Sequence, residues 1–344
     1  MLASLALLAG VRDAQAAGCS PSTLQSTCFD ADTLATPFAP SDFFMLSRPR
    51  AMAANSWSLG LDLTALHRPV TLRVPSPDPR GRELDVVGEL FDGTLAVAGS
   101  PLRHLELGAA LPFSLYRTGT GLTGVTSQTG PGLPRSAFRD LRFGAGYDIF
   151  QALLDGGSTV VNGLVRLDFS LPTGQSGSFA GERSVVTEPA LDVGLTSGRF
   201  FASVEERVRL REPVTFGSEL LGTQWLSALG VGVDVLDHER LRVGVEADVA
   251  PYLASRGRTF PDGTRVEAAT LVPAEWMLSV RTRLDHYVLG LGGGTGIPLS
   301  SETRVDATGA KTSDSFASVT TPSYRFALTV RYVLPTSSPS DATP

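Results

Sequence analysis

From Asn55 onward the chain alternates apolar and polar residues one by one, in segments of about ten to fourteen residues, the period of a β-strand with two chemically different faces. Between 104 and 116, Leu105, Leu107, Ala109, Leu111, Phe113 and Leu115 fall on one side, and His104, Glu106, Gly108, Ala110 and Ser114 on the other. The same division sets Leu141, Phe143, Ala145, Tyr147 and Ile149 against Asp140, Arg142, Gly144, Gly146 and Asp148. Near the end it sets Tyr324, Phe326, Leu328, Val330 and Tyr332 against Arg325, Ala327, Thr329 and Arg331. Similar runs near 55–65, 90–98, 161–171, 184–196, 199–211, 220–235, 241–249, 276–284 and 287–297 bring the total to about twelve strands, an even number as bacterial barrels require.

The connections alternate between short and long. Gly99-Ser100-Pro101, Asp155-Gly156-Gly157-Ser158, Ser197-Gly198-Arg199, Leu236-Asp237-His238-Glu239 and Asp285-His286 are the short ones. Longer polar links lie near 66–84, 117–136, 172–183, 212–219, 254–273 and 298–320. Tight turns on one side and longer loops on the other are the outer-membrane arrangement. The pattern therefore predicts an all-β fold: a transmembrane antiparallel up-and-down β-barrel of about twelve strands over 55–334.

The same alternation would suit a soluble barrel with its apolar side inward. Three features point the apolar side at lipid. About twelve strands enclose an interior too wide for apolar side chains to fill, since about eight already leave room for a ligand. The opposite side is rich in glycine, including Gly60, Gly108, Gly144, Gly230, Gly244 and Gly292, which suits a crowded lumen. Trp57, Trp276, Tyr287, Tyr324 and Tyr332 fall toward strand ends on the apolar side, where amphipathic rings meet headgroups. Glu206 disagrees by parity, and a bulge near Glu205-Glu206 is the expected remedy.

Composition narrows the class further. No run reaches the roughly 18 apolar residues of a spanning helix, and a net charge of -6 offers no footprint for nucleic acid. Leu2 to Val11 form a short apolar run, and Ala14-Gln15-Ala16 match the small-x-small cleavage pattern, so 1–16 read as a signal peptide. No Lys or Arg precedes that run; either the true start lies upstream or the segment has another role. Residues 17–54 read as an irregular lead-in and 335–344 as a disordered tail. Cys19 and Cys28, the two cysteines, are placed to form a disulfide in an oxidising compartment. Ala16-Ala17-Gly18-Cys19 also loosely matches a lipobox, although the Leu three residues before the Cys is missing, and two free thiols are the third option.

The polar faces carry mixed charge. The expected pore lining is Glu106, Asp140, Arg142 and Asp148, then Arg166 and Asp168, then Glu188 and Asp192. It continues with Asp234, Glu246 and Asp248, then Arg281 and Arg283, and Arg325 and Arg331. Arg207, Arg209 and Arg211 form a row of one sign, able to attract an anion or to bind cross-strand carboxylates. Catalytic candidates are poor: His104, His238 and His286 fall in or beside the short turns, and only His67 lies near a loop. Gly290 to Gly296 fail the spacing of a dinucleotide loop and read as a glycine-lined strand. No Cys/His cluster offers metal ligands, and no cofactor is expected.

Across roughly 36–334 the chain resembles the N-terminal barrel domain of Gram-negative OmpA-family proteins, and is similar to transporter-like outer-membrane barrels. The phrases that carry this are His67-Arg68-Pro69-Val70, His104 to Pro112, Arg139 to Gly144, Leu171-Pro172-Thr173-Gly174 and Gly217 to Gly222. In such relatives a peptidoglycan-binding domain follows the barrel; here about ten residues follow the last run, so anchoring to the wall is not carried over. The resemblance and the polar lumen together imply an outer-membrane, porin-like, passive or weakly selective channel for small polar solutes in a Gram-negative bacterium, with lipid as its surroundings and no catalysis. A closed structural barrel, filled by paired charges or by residues 17–54 folded inward, is the alternative. An outer-membrane hydrolase using His67 comes third.

Overall fold

A computed structural model describes residues 26–74, 82–123, 132–216, 219–236, 240–254, 258–259, 265–305, 308–316 and 319–334. The signal-peptide region, Cys19 and the tail lie outside them. The main sheet has thirteen strands, one of which, the two-residue Ala137–Phe138, is an appendage of its neighbour. The rest form the wall: β1 Ser56–Val74, β2 Arg82–Leu102, β3 Leu105–Arg117, β4 Leu141–Leu154, β5 Thr159–Leu171 and β6 Val186–Ser197. They continue with β7 Phe200–Arg209, β8 Gln224–Leu236, β9 Leu241–Val249, β10 Ala274–Leu284, β11 Tyr287–Gly296 and β12 Tyr324–Leu334. Each pairs antiparallel with its chain neighbours, and β1 pairs with β12, Trp57 opposite Leu334, so the ring closes without an edge.

The outward face is the apolar one. On β12, Tyr324, Phe326 and Leu328 are exposed, while Arg325, Ala327, Thr329 and Arg331 are buried. Leu59, Leu95, Phe143, Leu229 and Leu278 continue the exposed belt around the wall. Burial here is thus inverted relative to a soluble barrel. Such a belt is stable only against hydrocarbon, where the closed ladder leaves no wall backbone group unpaired.

Four of the short turns fall at one rim, with left-handed residues at His104, Asp155, Gly198 and Asp285, and the one expected over 236–239, with His238, lies outside the described residues apart from Leu236. The first differs from its expected place: β2 runs through Pro101 to Leu102, and Leu102 pairs with Leu105 across Arg103-His104. At the other rim, most of the link expected over 66–84 is strand. β1 and β2 stay paired up to Val74 and Arg82, past a register shift between His67 and Val70 where Arg68 has φ 53°. The shift turns Val70, Leu72, Val86 and Val87 onto a small apolar cap shared with Phe29, Phe179, Phe216 and Leu221. Phe29 meets the rings of Phe179 and Phe216 edge-on at 5.3 and 5.1 Å, a favoured aromatic geometry.

Residues 26–54 form no regular element, and they thread the lumen from rim to rim. At the loop end Ser26 N–H donates to Thr215 O and Asp30 bridges Ala180. At the turn end the Ala51 and Met52 amides donate to Asp148 and Glu106. Chain entry to β1 follows directly, through the Asn55 N–H to Ser100 O bond.

Candidate functional site: a charged lumen filled by the N-terminal segment

Strand parity sends every second side chain inward, and the inward set interleaves charged residues with Gly, Ala, Ser and Thr. Arg166 on β5 binds Asp168, Asp192 and Glu205 at 2.9, 3.2 and 3.2 Å. Arg207 reaches Glu188 and Glu205 at 3.1 and 3.4 Å, and Arg209 reaches Glu188 at 2.7 Å. The row of arginines on β7 is therefore neutralised across strands, as like charges sharing a dry face require. Its third member departs from the expected wall position: Arg211 lies beyond the end of β7 and binds Glu182 (2.7 Å), Gly222 O and Tyr252 Oη.

A second set of contacts goes to the threaded segment. A chain without secondary structure in a water-poor lumen has many main-chain donors and acceptors to satisfy, and the wall supplies them. Glu246 accepts from the amides of Phe44 (2.9 Å) and Met45 (2.6 Å), and Glu205 from Ser47 (2.8 Å). Asp148 accepts from Ala51 at 2.6 Å and Glu106 from Met52 at 3.0 Å. Arginines do the converse: Arg331 donates to the carbonyls of Pro37 and Phe38 at 2.8 Å each, Arg142 to Thr36 O and Arg209 to Thr33 O. Asp32 pairs with Arg325 at 2.7 Å and with Arg139 at 3.4 Å, and Asp42 pairs with Arg242.

The inward glycines seat the segment's rings. A Cβ on Gly108 or Gly144 would come within 2.5 Å of Phe38, on Gly230 within 2.7 Å of Phe43, and on Gly292 within 2.7 Å of Phe44. Backbone and ring approach closely there because the wall has no side chain in between. Arg142 and Arg281 stack their guanidiniums on Phe38 and Phe44 at 4.9 and 4.3 Å, favourable where water is scarce.

The remaining expected lining is placed as follows. Arg325 also binds Glu275 at 2.9 Å, Arg331 binds Asp62 at 2.5 Å, and Asp234 binds Arg242 at 2.7 Å. Asp248 lies opposite Glu275 in the β9–β10 register. Arg283 is exposed at the turn rim. Asp140 precedes β4 and holds a loop, accepting from Gly174 and Glu182 amides at 2.7 Å each. Burial pushes its carboxyl up to about 7, against those two N–H groups.

Several ionic residues escaped the sequence reading. Asp62, Glu205 and Glu275 share the inward parity of residues that were found, so they were legible in principle. Asp32 and Arg139 lie outside any alternating run, and nothing local marks them. Arg139 gathers Asp30, Asp32 and Asp92 at 2.9, 3.4 and 2.8 Å.

Glu206 corrects an expectation. Register is continuous along β7 against both neighbours, so no bulge rescues it. The carboxylate faces outward and accepts from Trp225 Nε1 at 2.7 Å and Ser227 Oγ at 2.6 Å, toward the loop end of the wall. Two outward donors satisfy it where parity could not turn it inward.

His67 pairs with Glu89 at 2.6 Å and stacks on Tyr324 at 4.6 Å, the surroundings of an interfacial histidine. The run Gly290 to Gly296 is the upper part of β11. Among the described residues no group of His, Cys, Asp and Glu is arranged for a metal. Cys28 is buried and disulfide-bonded, while Cys19 lies outside the described residues.

Several cavities lie between segment and wall among the described residues. Toward the loop end a cavity of about 40 Å³ lies beside Asp32, Arg139 and Glu188. The turn half leaves cavities of about 520 and 260 Å³ on either side of the segment, sharing Arg50 and Asn162.

A closed ring with an apolar outside and an ionic, chain-filled inside defines the class: a transmembrane β-barrel of the outer-membrane type. Among solved structures, this chain is similar to an outer membrane channel from Pseudomonas putida F1, at a TM-score of 0.54 and 12% identity over 83% of this chain and 98% of that one. That likeness shows the barrel fold. It is also similar to the NanC porin, with a TM-score of 0.39 and 9% identity over 79% of this chain and 98% of that one. For the toluene transporter TodX of Pseudomonas putida the values are 0.33 and 12%, over 82% of this chain and 90% of that one. No family model and no curated protein matches the sequence.

Proposed function

We propose that this barrel is a channel for small polar solutes in the outer membrane of a Gram-negative bacterium, throttled by its own N-terminal segment. The observation that carries this reading is the chemistry of the grip on that segment. Between Thr36 and Met52 the wall holds mainly backbone amides and carbonyls, by carboxylates and guanidiniums. Water and polar solutes can replace such contacts one for one, because each exchanges a protein hydrogen bond for a solvent one. The expected lining from Glu106 to Arg331 would then be the surface a solute meets.

A second reading is favoured by Phe29, Phe43 and Phe44, which are buried in apolar clusters. These anchors suit a permanently filled barrel that presents its loops. No step of either reading uses His67 as a catalyst, and the protein is read as non-enzymatic. The OmpA-family resemblance, the signal peptide over 1–16 and the Cys19–Cys28 disulfide belong to the same proposal.

Planar-bilayer recording separates the two. Full-length protein is expected to show small or infrequent steps, and a version lacking residues 26–54 large, frequent ones. Heat-dependent gel mobility confirms that the shortened barrel is folded. A folded, shortened barrel that leaves the bilayer silent ends the channel reading.

A further inference from the structure

At the turn end, the cavity of about 260 Å³ between segment and wall has a one-sided charge. Arg48, Arg50, Arg242, Arg281 and Arg283 line it, against the single carboxylate of Asp42. Arg242 is committed to Asp42 and Asp234. Arg281 stacks on Phe44 but makes no hydrogen bond or ion pair among the described residues. It is 6% exposed, and its Nε has no hydrogen-bond partner. Among the described residues no carboxylate or carbonyl takes a hydrogen bond from its other nitrogens either.

This sets Arg281 apart. Each other buried arginine among the described residues meets a carboxylate or a carbonyl, from Arg117 on Ser178 O to Arg331 on Asp62. Arg281 instead has one face covered by Phe44, whose position is fixed by the Glu246 clamp on the Phe44 and Met45 amides. Its two terminal nitrogens, unlike the buried Nε, are left toward the cavity. Glu246, Asp42 and Asp62 act on Arg281 electrostatically but none binds it directly, and a buried guanidinium with unmade hydrogen bonds is unfavourable; a ligand that supplies two acceptor oxygens removes that penalty. The planar fork of Arg fits a carboxylate or phosphate edge in particular. Arg48 and Arg50, exposed on the segment, place further positive charge at the mouth.

We propose that this cavity binds a small oxyanion, the carboxylate or phosphate group of a solute, with Arg281 as its buried anchor and Arg48 and Arg50 at its entrance. The proposal names the solute class of the channel read above and rests on that reading only for its role in transport. Occupancy is a property of the folded protein and is measured without a membrane.

Full-length protein in a zwitterionic detergent is titrated calorimetrically with inorganic phosphate, and separately with acetate, at ionic strength held constant with choline chloride. Saturable binding to the wild type is expected. Arg281→Gln weakens it by about tenfold, the value of one charge-assisted pair. Arg48→Gln, at an exposed position, weakens it by about threefold. Because Arg281→Gln removes a buried charge that no carboxylate binds directly, the variant also folds, and phosphate raises the urea midpoint of the wild type but not of this variant. The acetate arm reports whether a carboxylate suffices or a phosphate is required. Heats that do not exceed those of the choline chloride control, or both variants binding phosphate like the wild type, would overturn the site. Phosphate binding with silent bilayers would remove the channel reading and leave the site standing.

Discussion

Asp32 of the threaded segment and Arg325 of the last strand are 293 residues apart in sequence and meet at 2.7 Å in the lumen. Both are buried, Arg325 completely. Arg325 spends its remaining donors on Glu275, and Asp32 also meets Arg139. One carboxylate on an irregular segment thus ties together the closing strand of the barrel and the long β3–β4 connection. The segment has its full set of partners only once β12 has closed against β1.

Removing one partner of this buried set should cost more than removing a surface ion pair. Asp32→Asn is expected to lower stability by about 3 kcal/mol, the low end for a broken buried pair, since Glu275 still serves Arg325. Asp32→Asn combined with Arg325→Gln should cost clearly less than the two single changes added together. Urea unfolding in lipid vesicles reads both, and strict additivity would mean the two residues are not coupled.

The inward glycines make a separate prediction. Gly108→Ala places a methyl against Phe38, so overpacking should destabilise the full-length protein by about 1–3 kcal/mol. The same substitution in a barrel lacking residues 26–54 has no ring to meet and should be near neutral. Equal losses in both backgrounds would show that the glycine serves the wall and not the segment.

Loop 172–185 should respond to pH through Asp140. Its carboxyl titrates near 3.8 when unfolded and at about 7 in the fold, raised chiefly by burial. A raised carboxyl favours the fold while protonated, so its contribution is complete below 3.8 and is lost as pH rises through about 7. Tryptic cleavage after Arg183 should therefore be faster at alkaline than at mildly acidic pH, relative to Asp140→Asn measured in parallel. Identical ratios at the two pH values would place the loop's control elsewhere.

Glu206 should tolerate loss of its charge but not of its acceptor. Glu206→Gln keeps an oxygen for Trp225 and Ser227 and should change stability by less than about 1 kcal/mol. Glu206→Leu strands the Trp225 indole N–H and should cost about 1–3 kcal/mol despite the more apolar side chain. Vesicle-based urea unfolding distinguishes them, and a stabilising Leu would show that lipid contact outweighs the hydrogen bonds.

Strand number, closure and the outward direction of Leu, Val and Phe were all legible in the sequence. Each rests on a period of two, and a wall between lipid and a polar lumen imposes that period on every strand. Local chemistry also sufficed for the turns at Asp155, Gly198 and Asp285. Where it failed, the cause was a neighbour. Pro101 read as a turn residue, yet β3 holds β2 in register past it. The link expected over 66–84 is mostly strand because Leu72, Val86 and Val87 find a cap made of distant loops.

By itself the sequence determined a two-faced ribbon long enough to close, since alternation is a property of adjacent residues. It could not decide what fills the ring. Residues 26–54 carry no period, because the wall holds mainly their main chain, through side chains of β3, β4, β7, β9 and β12. A contact such as Phe38 over Gly108, or Asp32 against Arg325, exists only when the wall has curved far enough to bring its own inner faces within reach. Only the closed tertiary structure could show that the lumen's charges are spent on one another and on holding a chain, and that among the described residues Arg281 makes no ion pair.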